Sequence, residues 1–147
     1  MFFYPRVFLS KDDDIKIVAS IQEAERNTSG EIRVHFQKKL KGELMEEALA
    51  TFYRLKMNET REKNGVLFFF VPNQKLFAII ADKGINDKVP DNFWEDMKTI
   101  LSTEIKAGNK VEGICKAIRM TGEKLKEFFP YDTLFDINEL PDEISYS

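Results

Sequence analysis

Cysteine is almost absent. Cys115 is the only one in 147 residues, so no internal disulfide can form and no thiolate-based zinc or iron–sulfur centre can be built from it. Histidine is represented by His35 alone, and no Cys/His pair, nucleophile-elbow serine or glycine-rich phosphate loop is spaced for use, so the standard routes to covalent catalysis are unmarked. No apolar run approaches the roughly 20 residues that span a bilayer, and the opening MFFYPRVFLS lacks the basic start and small-residue cleavage site of a signal peptide. The expectation is a soluble, cytoplasmic chain with no membrane span. Strong charge is missing as well: 22 Lys and Arg stand against 25 Asp and Glu, which gives no general electrostatic reason to bind nucleic acid.

What the chain does have is bulk. Thirteen Phe, four Tyr and one Trp within a 43% hydrophobic composition supply a core able to offset chain entropy in one domain of this size. Residues 1–130 read as that domain and 131–147 as an acidic, extended C-terminal tail. From residue 130 onward there are five acids (Asp132, Asp136, Glu139, Asp142, Glu143) and no Lys or Arg, and the sparse apolar residues have no helical period. The aromatic start Met1–Pro5 has three uses open to it: packing on the body, adding a fourth, edge strand, or joining a partner interface.

Ser10 ahead of Lys-Asp-Asp-Asp is a helix start, with a capping hydroxyl and acids in the first turn, and Ile15, Val18, Ile21 and Ala24 give it an apolar stripe. Residues 31–37 alternate, which predicts a half-exposed strand with Ile32, Val34 and Phe36 inward and Glu31, Arg33 and His35 toward solvent. Lys38–Gly42 is a basic loop, solvated by default. Residues 43–57 repeat at helical spacing. The run 65–71 is apolar throughout, as a central strand covered on both faces should be, and the short Pro72-Asn73 turn makes 75–81 its antiparallel partner. Helices at 91–106, with Asp91 as cap, and 110–128 complete the chain; Trp94 and Cys115 are assigned to the core. Strand, helix and strand in succession require a right-handed parallel crossover, so the expected fold is an α/β/α sandwich around a small mixed sheet.

That topology gathers three distant segments at one end of the sheet: Ser29-Gly30-Glu31, Asn64-Gly65 and Asp82 to Asp87. Carboxylate, amide and backbone carbonyl oxygens around permissive glycines suit a hard divalent cation. The candidate ligands are Asp82, Glu31, Asn64, Asn86 and Asp87, with Asp82 foremost. Turn and helix capping is the competing use of the same residue types.

Ser29-Gly30-Glu31-Ile32 opening one strand, Asn64-Gly65-Val66-Leu67 opening the next, and a strand ending in Asp82-Lys83-Gly84-Ile85 ahead of a Trp-bearing helix together resemble the TPM domain family over roughly residues 8–130. That family takes in thylakoid-lumen proteins linked to photosystem II repair and many bacterial proteins, and the tail Asn138–Asp142 is similar to its shorter soluble bacterial members. The resemblance implies an α/β/α sandwich, binding of calcium or another divalent ion such as magnesium in an acidic pocket at the sheet's end, and a debated phosphatase activity. Many relatives carry a signal peptide and an anchor, which this sequence does not show. The expected function is a non-catalytic calcium-binding domain, regulatory or protein-interacting and monomeric. The alternative is a metal-dependent phosphatase acting on phosphomonoesters, which would need a general acid and an arginine that the pattern does not put beside the cluster, where Lys83 is the one cation.

Overall fold

The computed structural model describes residues 9–131 and 140–147. Helix α1 (Lys11–Glu25) begins as expected, with the Ser10 hydroxyl accepting the Asp13 N–H at 3.1 Å and acids filling the first turn. Its buried residues are Ile17 and Ile21, with Val18 and Ala24 packed beside them, whereas Ile15 is 56% exposed. The apolar stripe is thus rotated away from Ile15, because the helix turns toward β1 and the last helix rather than along the simplest periodic line.

Strand β1 (Glu31–Phe36), helix α2 (Leu44–Arg54) and strand β2 (Gly65–Val71) form the crossover, β1 and β2 being parallel with Glu31 opposite Gly65. Glu43 caps α2, its carboxylate accepting from Met45 and Glu46 N–H, and Lys56 at φ 61° ends it before a 3₁₀ turn at Met57–Glu59. A 3₁₀ turn at Pro72–Gln74 reverses the chain into β3 (Leu76–Ala81), which is antiparallel to β2. A short helix, α3 (Lys83–Asn86), follows directly on β3. The long helices α4 (Phe93–Lys106) and α5 (Lys110–Phe128) come next. The residue preceding α4 is Asn92 rather than Asp91, and its side chain makes no capping bond.

The sheet order is β3-β2-β1-β4, and β4 is Ser145–Tyr146 from the C-terminal segment, parallel to β1. Among the described residues the fourth strand comes from the C-terminal segment; the N-terminal segment 1–8, one of whose expected uses is an edge strand, lies outside the described residues. Side chains of alternate residues on β1 and β2 feed two cores. Ile32, Val34, Phe36, Val66, Phe68 and Phe70 pack with α1, α4 and α5. Leu67, Phe69 and Val71 pack with Ala48 and Phe52 of α2, Met57 and Leu140. This is the expected α/β/α sandwich, and it accounts for the unbroken apolar run of β2. Gly122 of α5 lets α1 approach closely: a Cβ there would lie 2.6 Å from Ala24 Cβ. None of the described helices is long and apolar enough to cross a membrane.

One expectation is overturned. Every residue of β1 is buried, including Glu31 (2% exposed), Arg33 (8%) and His35 (0%), so the strand is not half-exposed. Its polar face is roofed by α2, the 3₁₀ turn and the segment 140–147. That segment lies over a hundred residues away in sequence and supplies partners that strand periodicity does not reveal.

Candidate functional site

The starts of β1 and β2 and the end of β3 meet as the topology requires. The Glu31 N–H donates to Asn64 O at 3.3 Å and the Asp82 N–H to Gly65 O at 2.9 Å, stitching the three segments through main chain. Asn64 is 1% exposed. Its N–H donates to Thr60 Oγ1 (3.2 Å) and its amide group to Ser29 Oγ (3.1 Å), while the Ser29 hydroxyl donates to the Glu62 carboxylate (2.5 Å). Both donor groups of Asn64 are engaged, whereas its Oδ1, though buried, has no hydrogen-bond partner.

Asp82 is the N-cap of α3. Its Oδ1 accepts the Lys83 N–H at 2.8 Å, and its Oδ2 is buried without a partner. Two unsatisfied buried oxygens in neighbouring segments cost about 1–3 kcal/mol each, a penalty that folded proteins usually avoid. Gly84 brings more oxygen to the place: a Cβ there would fall 2.2 Å from Glu62 O and 2.4 Å from Lys63 O, so only a residue without one lets those carbonyls lie against the start of α3. Carboxylate, amide and carbonyl oxygens are the donor chemistry of a hard cation such as calcium, and this set fits that group.

The remaining expected ligands are engaged in other bonds. Glu31 Oε1 accepts the Leu140 N–H at 3.2 Å, beneath the C-terminal segment. Asn86 Oδ1 accepts the Trp94 indole N–H at 3.0 Å, and Asp87 pairs with Lys83 at 3.0 Å on an exposed helical turn. Among the described residues, no group of three or more His, Cys, Asp and Glu side chains is placed to hold a metal ion. A cation at the strand ends would thus rely on one carboxylate with neutral oxygens.

A second constellation, not legible in the sequence, occupies the polar face of β1. His35 Nδ1 lies 2.9 Å from Ser145 Oγ and Nε2 lies 2.7 Å from Ser147 Oγ, with the ring stacked on Phe69 at 5.4 Å. Burial, reinforced by the Arg54 and Arg33 charges, pulls the imidazole down to about 4, so it is neutral at pH 7. At the other end of the strand the half-buried Glu25 accepts the Ile32 N–H at 2.7 Å, bonds Asp142 and faces Glu31. Burial above all, then the bond to Asp142, raises its carboxyl to about 10, so it keeps its proton at neutral pH. Arg33, between them, is pulled below the usual guanidinium range by burial, partly offset by Glu143. The signal that could have flagged this face is the pairing of a polar strand face with polar residues of the acidic tail, which is weak without knowledge of where the tail docks.

A family model described as TPM domain matches residues 5–124. The chain is similar over nearly its whole length to BA42, a protein from the psychrophilic bacterium Bizionia argentinensis whose structure was determined by NMR. The identity is 40%, 95% of this chain and 96% of that one are covered, and the TM-score is 0.88. Two solution NMR structures show the same fold at lower identity. An N-terminal domain from P. gingivalis is 18% identical, covers 81% of this chain and 77% of its own, and has a TM-score of 0.65. An N-terminal domain from Corynebacterium glutamicum is 12% identical, with 80% and 74% covered and a TM-score of 0.63. A search of the curated proteins gives no match.

Proposed function

This chain belongs to the TPM domain family, and from that premise we propose that it is a non-catalytic divalent-cation-binding domain, with calcium as the preferred ion, that acts by ordering a surface for another protein. The observation that carries this reading is the pair of buried, unpartnered oxygens, Asn64 Oδ1 and Asp82 Oδ2, at the place where three chain segments converge. Asp82 supplies the charge, Asn64 a neutral side-chain oxygen, and the Glu62 and Lys63 carbonyls admitted by Gly84 the main-chain donors. Glu31, Asn86 and Asp87 stand at the periphery of this set, each holding a hydrogen bond that fixes the surrounding loops.

A bound cation would supply positive charge to otherwise unsatisfied oxygens and tie the 58–64 loop to the start of α3. The chain's own residues do the rest: Ser29 and Thr60 hold Asn64 in place, and Lys83 N–H orients the Asp82 carboxylate. Nothing in this set handles a substrate proton. Lys83 Nζ, the cation beside Asp82 in sequence, is already paired with Asp87. Phosphoryl transfer needs both a proton-handling group and a free counter-charge, and their lack at these positions favours a binding role over hydrolysis.

Thermal unfolding in calcium, magnesium and manganese tests the reading. Free ion at one hundred times its Kd should stabilise the protein by about 2.7 kcal/mol, and Asp82→Asn should abolish that gain. Lack of any ion-dependent stabilisation overturns the proposal. Robust turnover of a generic phosphomonoester that Asp82→Asn eliminates would replace it with a metal-dependent phosphatase.

A further inference from the structure

Beside α2 and its 3₁₀ turn lies a cleft of about 430 Å³ whose walls include Arg33, Arg54, Lys56, Thr60, Leu140 and Pro141, with Glu59 also lining it. Arg33 is more than nine-tenths buried, at 8% exposure, and its Nε has no hydrogen-bond partner. Arg54 and Lys56 are solvent-facing, and neither forms an ion pair among the described residues. Lys56 holds its position at φ 61°, a left-handed conformation that glycine adopts at lower cost. Three cationic residues, from β1, from the end of α2 and from the link to the 3₁₀ turn, therefore line one concavity, one of them carrying a buried N–H that nothing in the chain satisfies.

We propose that this cleft is a receptor for a small oxyanion, a phosphate or carboxylate group gripped by the guanidinium forks of Arg33 and Arg54 with Lys56 adding charge. The planar guanidinium presents parallel N–H donors matched to two oxygens of such a group, and charge-assisted bonds of this kind are about twice as strong as neutral ones. An anion in the cleft offers the Arg33 guanidinium, one of whose donors has no partner in the chain, an acceptor that a neutral apolar ligand does not. Two carboxylates stand in the neighbourhood. Glu143 exerts a favourable charge on Arg33 and Glu59 lines the cleft, yet neither bonds the Nε. Burial depresses the guanidinium's hold on its proton, a tendency that an anion in the cleft opposes. Leu140 and Pro141 close one side with apolar surface, which limits water's screening of the ion pair. The cleft is joined to the strand-end cluster through Thr60, whose hydroxyl accepts the Asn64 N–H, but it needs none of the cation ligands and stands whether or not a cation binds there.

The experiment is an NMR titration of the arginine Nε–H resonances with inorganic phosphate and, separately, with acetate. It is run at constant ionic strength with a chelator present so that no divalent ion carries the anion in. A saturable shift of the Arg33 Nε–H signal is expected, with Arg54→Ala and Lys56→Gly each weakening the binding about three- to tenfold. Lys39→Ala, in the separate basic loop, should leave it unchanged. Response to phosphate alone assigns a phosphoryl ligand, response to acetate alone a carboxylate, and response to both the shared chemistry; each supports the receptor. Silence of Arg33 toward both anions into the tens of millimolar overturns it, as does unchanged affinity in both Arg54→Ala and Lys56→Gly. Both of those substitutions are at exposed positions, so the test does not depend on whether an Arg33→Gln variant folds.

Discussion

Gly84→Ala separates two opposed effects by sign. Gly84 sits within the short helix α3, and in an unobstructed helix the change to alanine is favourable by roughly 1 kcal/mol, because glycine loses more chain entropy on folding. Here the added methyl would stand 2.2 Å from Glu62 O and 2.4 Å from Lys63 O, and 2.9 Å from Lys63 C. All three are main-chain atoms, so no rotamer change can clear the contact and the 62–63 backbone itself has to move. Overpacking of this kind costs about 1–3 kcal/mol and outweighs the propensity gain. Net of that gain the loss is up to about 2 kcal/mol, and at about 3 °C per kcal/mol for a chain near 150 residues the midpoint of thermal unfolding should fall by up to roughly 6 °C. Circular dichroism melts and urea midpoints measure this, and amide shifts concentrated at 58–64 and 82–87 would locate the movement. A midpoint equal to or above that of the parent protein refutes the close approach, and with it the claim that Glu62 and Lys63 carbonyls lie at the strand ends. If the proposed cation site is real, any calcium-dependent stabilisation read on the same samples should shrink together with the midpoint.

The pH dependence of stability follows from two groups under the C-terminal segment, the buried His35 and the half-buried Glu25. His35 is depressed from 6.5 to about 4, so its contribution is complete above pH 6.5 and is lost as pH falls toward 4; His35→Gln should flatten the stability profile in that window, where the effect in the parent is on the order of 3 kcal/mol. Glu25 is raised from 4.5 to about 10, so its contribution is complete below 4.5 and declines as pH rises through 10; Glu25→Gln should gain progressively on the parent between those limits, and equal slopes would show that its carboxyl is not raised in the folded protein. Ser10→Ala removes the cap on Asp13 N–H and should cost about 0.5–2 kcal/mol in a urea melt, with no change in ion binding.

Periodicity and turn chemistry by themselves settled the order of the four long helices and the first three strands and the reversal at Pro72, but not the short helix α3 or the strand β4. Each of these rests on residues a few positions apart: Ser10 with Asp13, the 3.6-residue stripe of α2, the tight link between β2 and β3. The convergence of Glu31, Asn64 and Asp82 was legible for the same reason, since a parallel crossover followed by a hairpin leaves only one end of the sheet for all three. What local pattern could not decide is which polar atoms end up dry. Alternation assigned Glu31, Arg33 and His35 to solvent because their neighbours on the strand face the other core. Burial depends on what is laid over a face, and here the cover includes Leu140 and β4, placed over a hundred residues downstream. The fates of Asn64 Oδ1, Asp82 Oδ2 and Arg33 Nε likewise depend on whether a distant group reaches within about 3 Å, a distance fixed by packing and not by spacing along the chain.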